Sequence, residues 1–316
     1  MVGAGMSRNA LPRRPGRAVM PTWWDLISAL IDRLYPQGLG EDRRRSELLR
    51  QAGATSTALR LADEYVAAFG RSSLDELILA TTPDHDFKPG RLHRMLVELP
   101  WADILTTNYD TLIERVAETG YGQRYTVIRT PSELPAGQRP RIVKLHGSFP
   151  SIRPFVFTEE DFRIYPQQAA PFVNLARQVV MENVLCLIGF SGDDPNFLAW
   201  TGWVRDQLAD YTPQIYLCGL LTLTNSQRML LQGRGVTPID LTPLFPTEKY
   251  PEPGIRHSLS LEWFFLSLQE GRPYDPLEWP APTPTSTPPN NQLPAVLRSS
   301  QTVPRTENWR PNDHTE

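Results

Sequence analysis

Between residues 103 and 240, short apolar runs rich in β-branched residues alternate with segments whose apolar residues recur at helical spacing. The runs are DILTT, YTVI, RIVKLH, FVF, VLCLIGF, QIYLCGL and VTPID. Strands that alternate with helices are joined by crossover connections, which place helices on both faces of a parallel sheet. The pattern therefore predicts an α/β fold, doubly wound and Rossmann-like, with a mainly parallel sheet and flanking helices. Ligands of such folds bind at the carboxyl ends of the strands, where the strand order reverses.

Two further regions complete the expected organisation. Apolar residues at helical spacing, from Trp24 to Leu96, predict a small helical insertion at about 23–98. Residues 273–316 are rich in Pro, Thr, Ser and Asn and lack apolar periodicity, so they bury too little surface to offset the entropy cost of ordering. We therefore expect one domain over residues 1–272 and a disordered, Pro-rich tail over residues 273–316.

The charge balance gives no bulk reason to bind nucleic acid or an anionic membrane, since the formal net charge is -3 over 316 residues. No run approaches the roughly 20 apolar residues that span a bilayer, and the N-terminus lacks the apolar centre of a signal peptide. Cys186 and Cys218 each lie inside an apolar run, which favours buried, inert thiols over disulfides or metal ligands. We expect a cytoplasmic protein without direct contacts to membrane or nucleic acid.

A glycine-rich cluster, Gly3–Ser7 (GAGMS), opens the chain. Two glycines let a backbone approach a pyrophosphate closely, and the N-terminus of a following helix offers free N–H groups. The cluster departs from the dehydrogenase fingerprint G-x-G-x-x-G because Arg8 occupies the position of the third glycine. Only Met1 and Val2 precede it, where a buried strand should lead into the turn. Either the true start lies upstream, or the central strand is truncated.

Two polar clusters directly follow predicted strands, and each contains a candidate for chemistry. In Thr106–Asp110 (TTNYD), the Asn108 amide can donate and accept at once, and so hold a ribose hydroxyl or an attacking water. Asp110 could instead cap the next helix. His146 ends the strand RIVKLH, and an imidazole with a pKa of about 6.5 suits base catalysis at neutral pH. A purely structural histidine is the alternative, and the other histidines lack such a context.

A third cluster, Gly189–Asn196 (GFSGDDPN), follows the continuous apolar strand VLCLIG. Asp194 stands before a proline, which fits an N-cap followed by proline at the first helical position, and so favours a structural role. Gly189, Ser191 and Gly192 are candidates for a second phosphate or ribose cradle. This cluster is therefore expected to be partly scaffold and partly binding site.

In this order, the motifs GAGMS, TTNYD, KLHGS and GFSGDDPNF resemble those of the sirtuin-like domains found in bacterial antiviral defence proteins. The resemblance covers roughly residues 1–240 and implies NAD as the substrate. It implies that His146 is the catalytic base, that Asn108 takes part in catalysis, and that Ser191 lies near the adenosine side. The cofactor-binding residues that it implies are Gly3, Ala4, Gly5, Ser7, Thr107, Asn108, Asp110, Gly189 and Ser191.

One departure from the family bears on the reaction. Protein-deacylating sirtuins carry four cysteines as two C-x-x-C pairs that bind zinc, and this chain has neither pair. The resemblance therefore implies an NAD hydrolase that forms nicotinamide and ADP-ribose, with water as the acceptor and without a metal site. A cyclic product remains open. Two alternatives also remain, an NAD-dependent protein deacylase and a catalytically silent module that binds NAD or ADP-ribose.

The resemblance also implies an assembly. Such domains act in antiphage defence by NAD depletion and form oligomers, in some systems with a separately encoded HerA-type ATPase and in others with an Argonaute-type protein. The sequence contains no nucleotide-triphosphate motif of the G-x-x-x-x-G-K type. Any ATPase would therefore be supplied by another chain.

Overall fold

The computed structural model describes residues 1–14, 19–119 and 124–272, and the predicted tail at 273–316 lies outside the described residues. The α-helices are α1 (Ala4–Ser7), α2 (Trp23–Leu34), α3 (Asp42–Gln51), α4 (Thr55–Phe69), α5 (Arg71–Thr81), α6 (Arg91–Glu98), α7 (Leu112–Ala117), α8 (Glu159–Gln168), α9 (Ala170–Glu182), α10 (Pro195–Leu208), α11 (Asn225–Gly233) and α12 (Pro253–Glu270). The strands are β1 (Leu11–Pro12), β2 (Phe87–Lys88), β3 (Asp103–Thr106), β4 (Thr126–Ile128), β5 (Arg141–Lys144), β6 (Leu185–Ile188), β7 (Ile215–Gly219) and β8 (Val236–Asp240).

The central sheet consists of two parallel halves joined by the first residues of the chain. One half has the order β4-β5-β3 and the other the order β6-β7-β8. Met1–Gly3 lies between β3 and β6, where Val2 N donates to Leu105 O at 2.8 Å and Gly3 N donates to Ile188 O at 3.0 Å. Val2 forms parallel bridges to both halves. The prediction of a doubly wound, mainly parallel sheet is confirmed.

Strand residues alternate between two apolar cores, because successive side chains point to opposite faces of a sheet. Ile104 and Ile142 face a core that they share with α6, α7 and α12. The next residues along the chain, Leu105 and Val143, face a core that they share with α8, α9 and α10. Each fully buried aliphatic side chain contributes about 1.5–3 kcal/mol relative to an exposed one. Helices therefore cover both faces and hold the strand ends in place.

The helices that precede the sheet divide into two groups. Helices α2, α4 and α5 pack on one another around a third core, which includes Leu30, Leu61 and Leu74. Helix α6 packs instead on α7 and α12, where Leu96 joins the core beside the sheet. Helices α2–α5 thus form a separate cluster within the segment at about 23–98, where the sequence predicts a helical insertion.

The run FVF at 155–157 is not a strand, so that sequence prediction is wrong. Its backbone is irregular, although its side chains alternate as those of a strand do. Phe155 and Phe157 enter the core of α2, α4 and α5, whereas Val156 enters the core beside α8–α10. Contact with two different cores produces the same alternation as the two faces of a sheet, which is why the pattern was misleading.

Cys186 and Cys218 lie on the neighbouring strands β6 and β7 as free thiols. Burial raises the pKa of both thiols, that of Cys186 to about 11. Both sulfurs are therefore protonated and weakly nucleophilic at neutral pH. None of the helices in the described ranges is long and apolar enough to cross a membrane.

Candidate active site

The predicted polar clusters come together at one edge of the sheet. They lie at the ends of residues 1–3, β3, β5 and β6. Residues 1–3 lie between β3 and β6, where one half of the sheet meets the other. Because these strands are parallel, their carboxyl ends lie along the same edge. The clusters therefore meet at the switch point of the doubly wound sheet.

The glycines of the opening cluster let α1 pack directly on the turn after β6. A Cβ atom on Gly3 would lie 2.5 Å from Gly189 O, and one on Gly5 would lie 2.8 Å from Gly189 Cα. The N–H groups of Gly3 and Gly5 are already bonded, to Ile188 O at 3.0 Å and Gly189 O at 2.9 Å. Close approach of two backbone segments thus explains these glycines without a ligand.

Gly189 is the tightest position of this contact, so we expect Gly189→Ala to lower the free energy of unfolding by about 2–3 kcal/mol. Its φ is +58°, and a Cβ atom there would lie 2.4 Å from Met6 N. Gly192→Ala is the matched control, because Gly192 has a φ of +81° but only Leu187 Cδ1 nearby, at 4.0 Å. Urea titration measures both. Equal losses for the two variants would show that the contact with α1 contributes nothing.

Ser7, Asn108 and Asp110 form one buried hydrogen-bond network. Asn108 Nδ2 donates to Ser7 Oγ at 3.0 Å, and Ser7 Oγ donates to Asp110 Oδ2 at 2.7 Å. The other carboxylate oxygen, Asp110 Oδ1, accepts from Leu112 N at 3.2 Å at the start of α7. Asp110 thus assists the helix start, as one sequence interpretation expected, and also orients the pair Ser7 and Asn108. The network fixes the direction in which the Asn108 amide points.

A buried ion pair that the sequence analysis did not identify supports this network. Lys144 Nζ lies 3.0 Å from Glu114 Oε1 and also donates to the carbonyl oxygen of Asp110. Both side chains are 1% exposed. Burial raises the pKa of Glu114, and the neighbouring Lys144 opposes this effect. The available signal was a lysine inside an apolar strand, since a buried charge requires a partner.

His146 lies just beyond β5, against the first turn of α10. Its side chain is 4% exposed, with Nε2 3.2 Å from Asn196 Nδ2 and Nδ1 3.8 Å from Asp194 Oδ2. The rings of Phe162 and Tyr165 pack against it in T-shaped arrangements. Burial lowers the pKa of His146, and the carboxylate of Asp194 opposes this effect. The imidazole is therefore neutral at neutral pH and can accept a proton.

The remaining sequence candidates lie at the periphery of this group. Ala4 and Ser191 are exposed, and Thr107 is half-buried. The Ser191 hydroxyl accepts a hydrogen bond from Asp193 N at 3.3 Å, within its own turn. Among the described residues, no group of three or more His, Cys, Asp or Glu side chains is arranged to hold a metal ion.

Two residues without an assigned role in the sequence analysis contact the site. Asn196 follows the α10 N-cap by two positions and reaches His146, so its place in the motif GFSGDDPN was a usable signal. On α12, His257 Nε2 lies 2.9 Å from Gly5 O, a contact that holds the glycine turn against this helix. The two residues are 252 positions apart in sequence. No local pattern indicates a contact over that separation.

The fold and the arrangement of the site agree with the comparison to known families. Residues 102–239 match the family described as SIR2-like domain, and that span includes the clusters after β3, β5 and β6. This part of the chain is therefore similar to a SIR2-like domain.

Three curated relatives are similar to this chain. Defense-associated sirtuin 2 of Bacillus subtilis is 23% identical over 236 residues, which is 73% of this chain and 22% of that protein. NAD(+) hydrolase ThsA of Acinetobacter baumannii is 28% identical over 125 residues, 39% of this chain and 25% of that protein. NAD(+) hydrolase ThsA of Enterococcus faecium is 29% identical over 110 residues, 33% of this chain and 22% of that protein. The chain thus spans only 22% to 25% of the length of these relatives.

Proposed function

We propose that this chain is an NAD hydrolase that cleaves the bond between nicotinamide and ribose. The observation that carries the proposal is the meeting, at the switch point, of the Ser7–Asn108–Asp110 network with a neutral, buried imidazole at His146. The names of two relatives, both called NAD(+) hydrolase, support it.

In this proposal the pyrophosphate lies along the exposed edge of the glycine turn, at Ala4 and Gly5. Because the N–H groups of Gly3 and Gly5 are already hydrogen-bonded, these glycines contribute mainly by allowing close van der Waals contact with the pyrophosphate. Asn108 and Asp110 face the nicotinamide ribose. Thr107 and Gly189 line the same edge, and Ser191 lies toward the adenosine, as the motif resemblance implies.

The chemistry follows from charge development on the ribose. Nicotinamide leaves as a neutral molecule with the electron pair of the broken C–N bond, and the ribose carbon becomes oxocarbenium-like. Fixed dipoles and the Asp110 carboxylate stabilise that positive charge better than bulk water does. Asn108 positions the attacking water or a ribose hydroxyl. His146 accepts the proton that the water loses as its oxygen bonds to the ribose carbon.

The proposal also covers the setting of the reaction. It includes a cytoplasmic location, since NAD is an intracellular metabolite, and a site that functions without zinc. It further includes an oligomeric effector of antiphage defence that depletes NAD, for which the name Defense-associated sirtuin 2 offers support. The proposal of a HerA-type ATPase or an Argonaute-type protein as a partner is supported by the motif resemblance alone.

We expect the purified chain, alone or with its assembly partners, to release nicotinamide and ADP-ribose from NAD without any acylated peptide. Liquid chromatography of NAD incubations measures both products, and elemental analysis of the same preparation measures zinc. Turnover that strictly requires an acyl-lysine peptide would contradict the hydrolase proposal and favour a deacylase. One zinc ion bound per chain would contradict the zinc-free site.

A further inference from the structure

The carboxylate of Asp194 has two separate contacts. Its Oδ1 accepts a hydrogen bond from Phe197 N at 2.9 Å, which is the N-cap interaction at the start of α10. Its Oδ2 lies 3.8 Å from His146 Nδ1. A helix cap requires only the first contact. The second contact directs a negative charge at one particular nitrogen of the buried imidazole.

Asn196 contacts the other nitrogen of the ring. Its amide nitrogen, which can only donate, lies 3.2 Å from His146 Nε2. In a neutral imidazole one nitrogen carries the proton and the other carries a lone pair. Nε2 therefore holds the lone pair, and Nδ1 carries the proton that faces the Asp194 carboxylate.

The opposite arrangement is disfavoured by electrostatics. If the Asn196 carbonyl oxygen accepted a proton from Nε2, the lone pair of Nδ1 would face the carboxylate of Asp194. Two centres of negative charge would then meet in a buried environment, where such repulsion is strong. Asp194 thus selects the tautomer whichever way the Asn196 amide is turned.

The other charged group near the ring is already neutralised. Asp161 on α8 also acts on His146, but its carboxylate is paired with Arg71 at 2.6 Å and accepts from Thr158 N at 3.0 Å. The remaining neighbours on α8 are the rings of Phe162 and Tyr165, and the Tyr165 hydroxyl donates to Leu145 O at 2.6 Å. Asp194 is therefore the carboxylate that is positioned to orient this imidazole.

We propose that Asp194 is a positioning residue that holds His146 with Nδ1 protonated, so that Nε2 is the nitrogen that accepts the proton in NAD cleavage. In the structure, the Asn196 amide is hydrogen-bonded to Nε2. During the reaction a water or ribose hydroxyl takes its place as the donor. The kinetic consequence rests on the proposed function, whereas the tautomer does not.

The test compares Asp194→Asn with the parent in the full chain. Asparagine is as good an N-cap as aspartate, so its side-chain oxygen can still accept from Phe197 N while the charge is lost. Asp193→Asn is the matched control, because that neighbouring side chain is 61% exposed and faces Arg234. The readouts are the ¹⁵N shifts of the His146 ring, identified by their loss in His146→Ala, the pH-rate profile, and the melting temperature.

We expect the parent to show the Nδ1-protonated tautomer, and Asp194→Asn to move the ring toward the Nε2-protonated form. Removing the charge also lowers the pKa of His146, so the acid limb of the pH-rate profile moves to lower pH. We expect kcat to fall by about tenfold to a hundredfold with little change in KM. Closer Asp–His contacts lose about ten-thousandfold when the carboxylate is replaced by an amide. Asp193→Asn should match the parent in every readout.

Several outcomes would overturn the proposal. An Nε2-protonated ring in the parent would do so, as would unchanged ring shifts and pKa in Asp194→Asn. If Asp194→Asn unfolds, Asp194→Ser repeats the test with a different capping side chain. Loss of the fold in both variants, with Asp193→Asn intact, would leave Asp194 as a helix cap alone. If the ring behaves as expected but the parent cleaves no NAD, the proposed function fails while the tautomer assignment stands.

Discussion

His146→Ala is expected to slow NAD cleavage by about a hundredfold to ten-thousandfold, the usual cost of removing a general base. Asn108→Ala should act in the same direction, because the amide positions a group mainly in the transition state. NAD affinity should change far less than the rate for both variants. The large separation between rate and affinity follows from placing both side chains at the reacting bond rather than along the whole dinucleotide.

The matched control is His93→Ala. His93 is also fully buried, but its Nδ1 accepts from Gly90 N at 3.2 Å, where it supports the start of α6. We expect this variant to lose stability and to leave the remaining folded protein active. Melting temperature, NAD binding by calorimetry and NAD turnover are measured for all variants in the same assembly state. If His146→Ala and Asn108→Ala fold, bind NAD and turn it over near the parental rate, a silent binding module becomes the better account.

The second large effect concerns the buried pair beneath the site. We expect Lys144→Met to lower the free energy of unfolding by about 3–5 kcal/mol, because Glu114 is then buried without a counter-charge. The loss should depend on pH. The pKa of Glu114 is already raised by burial, and losing Lys144 raises it further. Stability therefore falls as pH rises above the ordinary glutamate pKa of about 4.5 and toward the raised value in the folded protein.

Chemical denaturation of Lys144→Met at pH 5 and pH 8 tests this expectation. The double variant Lys144→Met with Glu114→Leu removes both charges, and we expect it to recover most of the lost stability, since apolar replacement of a buried pair is often neutral. It still lacks the hydrogen bond to Asp110 O, so NAD turnover should recover less than stability does. A single variant as stable as the parent at pH 8 would show that the pair is not buried as the structure describes.

The sequence predicted the architecture and the meeting of the motifs because strand ends and turn residues are local signals. Asn108, His146 and the turn at Gly189 each follow an apolar run, and parallel pairing alone brings such positions to one edge. The contacts that orient them were not predictable in the same way. His257 reaches Gly5 only because α12 packs beside α6, and Glu114 meets Lys144 only because α7 lies over β5.

The segment Met1–Gly3 has a consequence for the order of folding. Residues 103–144 and residues 185–240 can each form a three-stranded half-sheet from nearly contiguous chain, at a modest cost in loop closure. The segment Met1–Gly3 lies between them, and its residue Val2 is hydrogen-bonded to Thr106, which is 104 residues away. Such distant pairings form slowly, since loop entropy is lost before their contacts are gained. The half-sheets should therefore form first, and the cleft between their edges is complete only after the beginning of the chain has inserted.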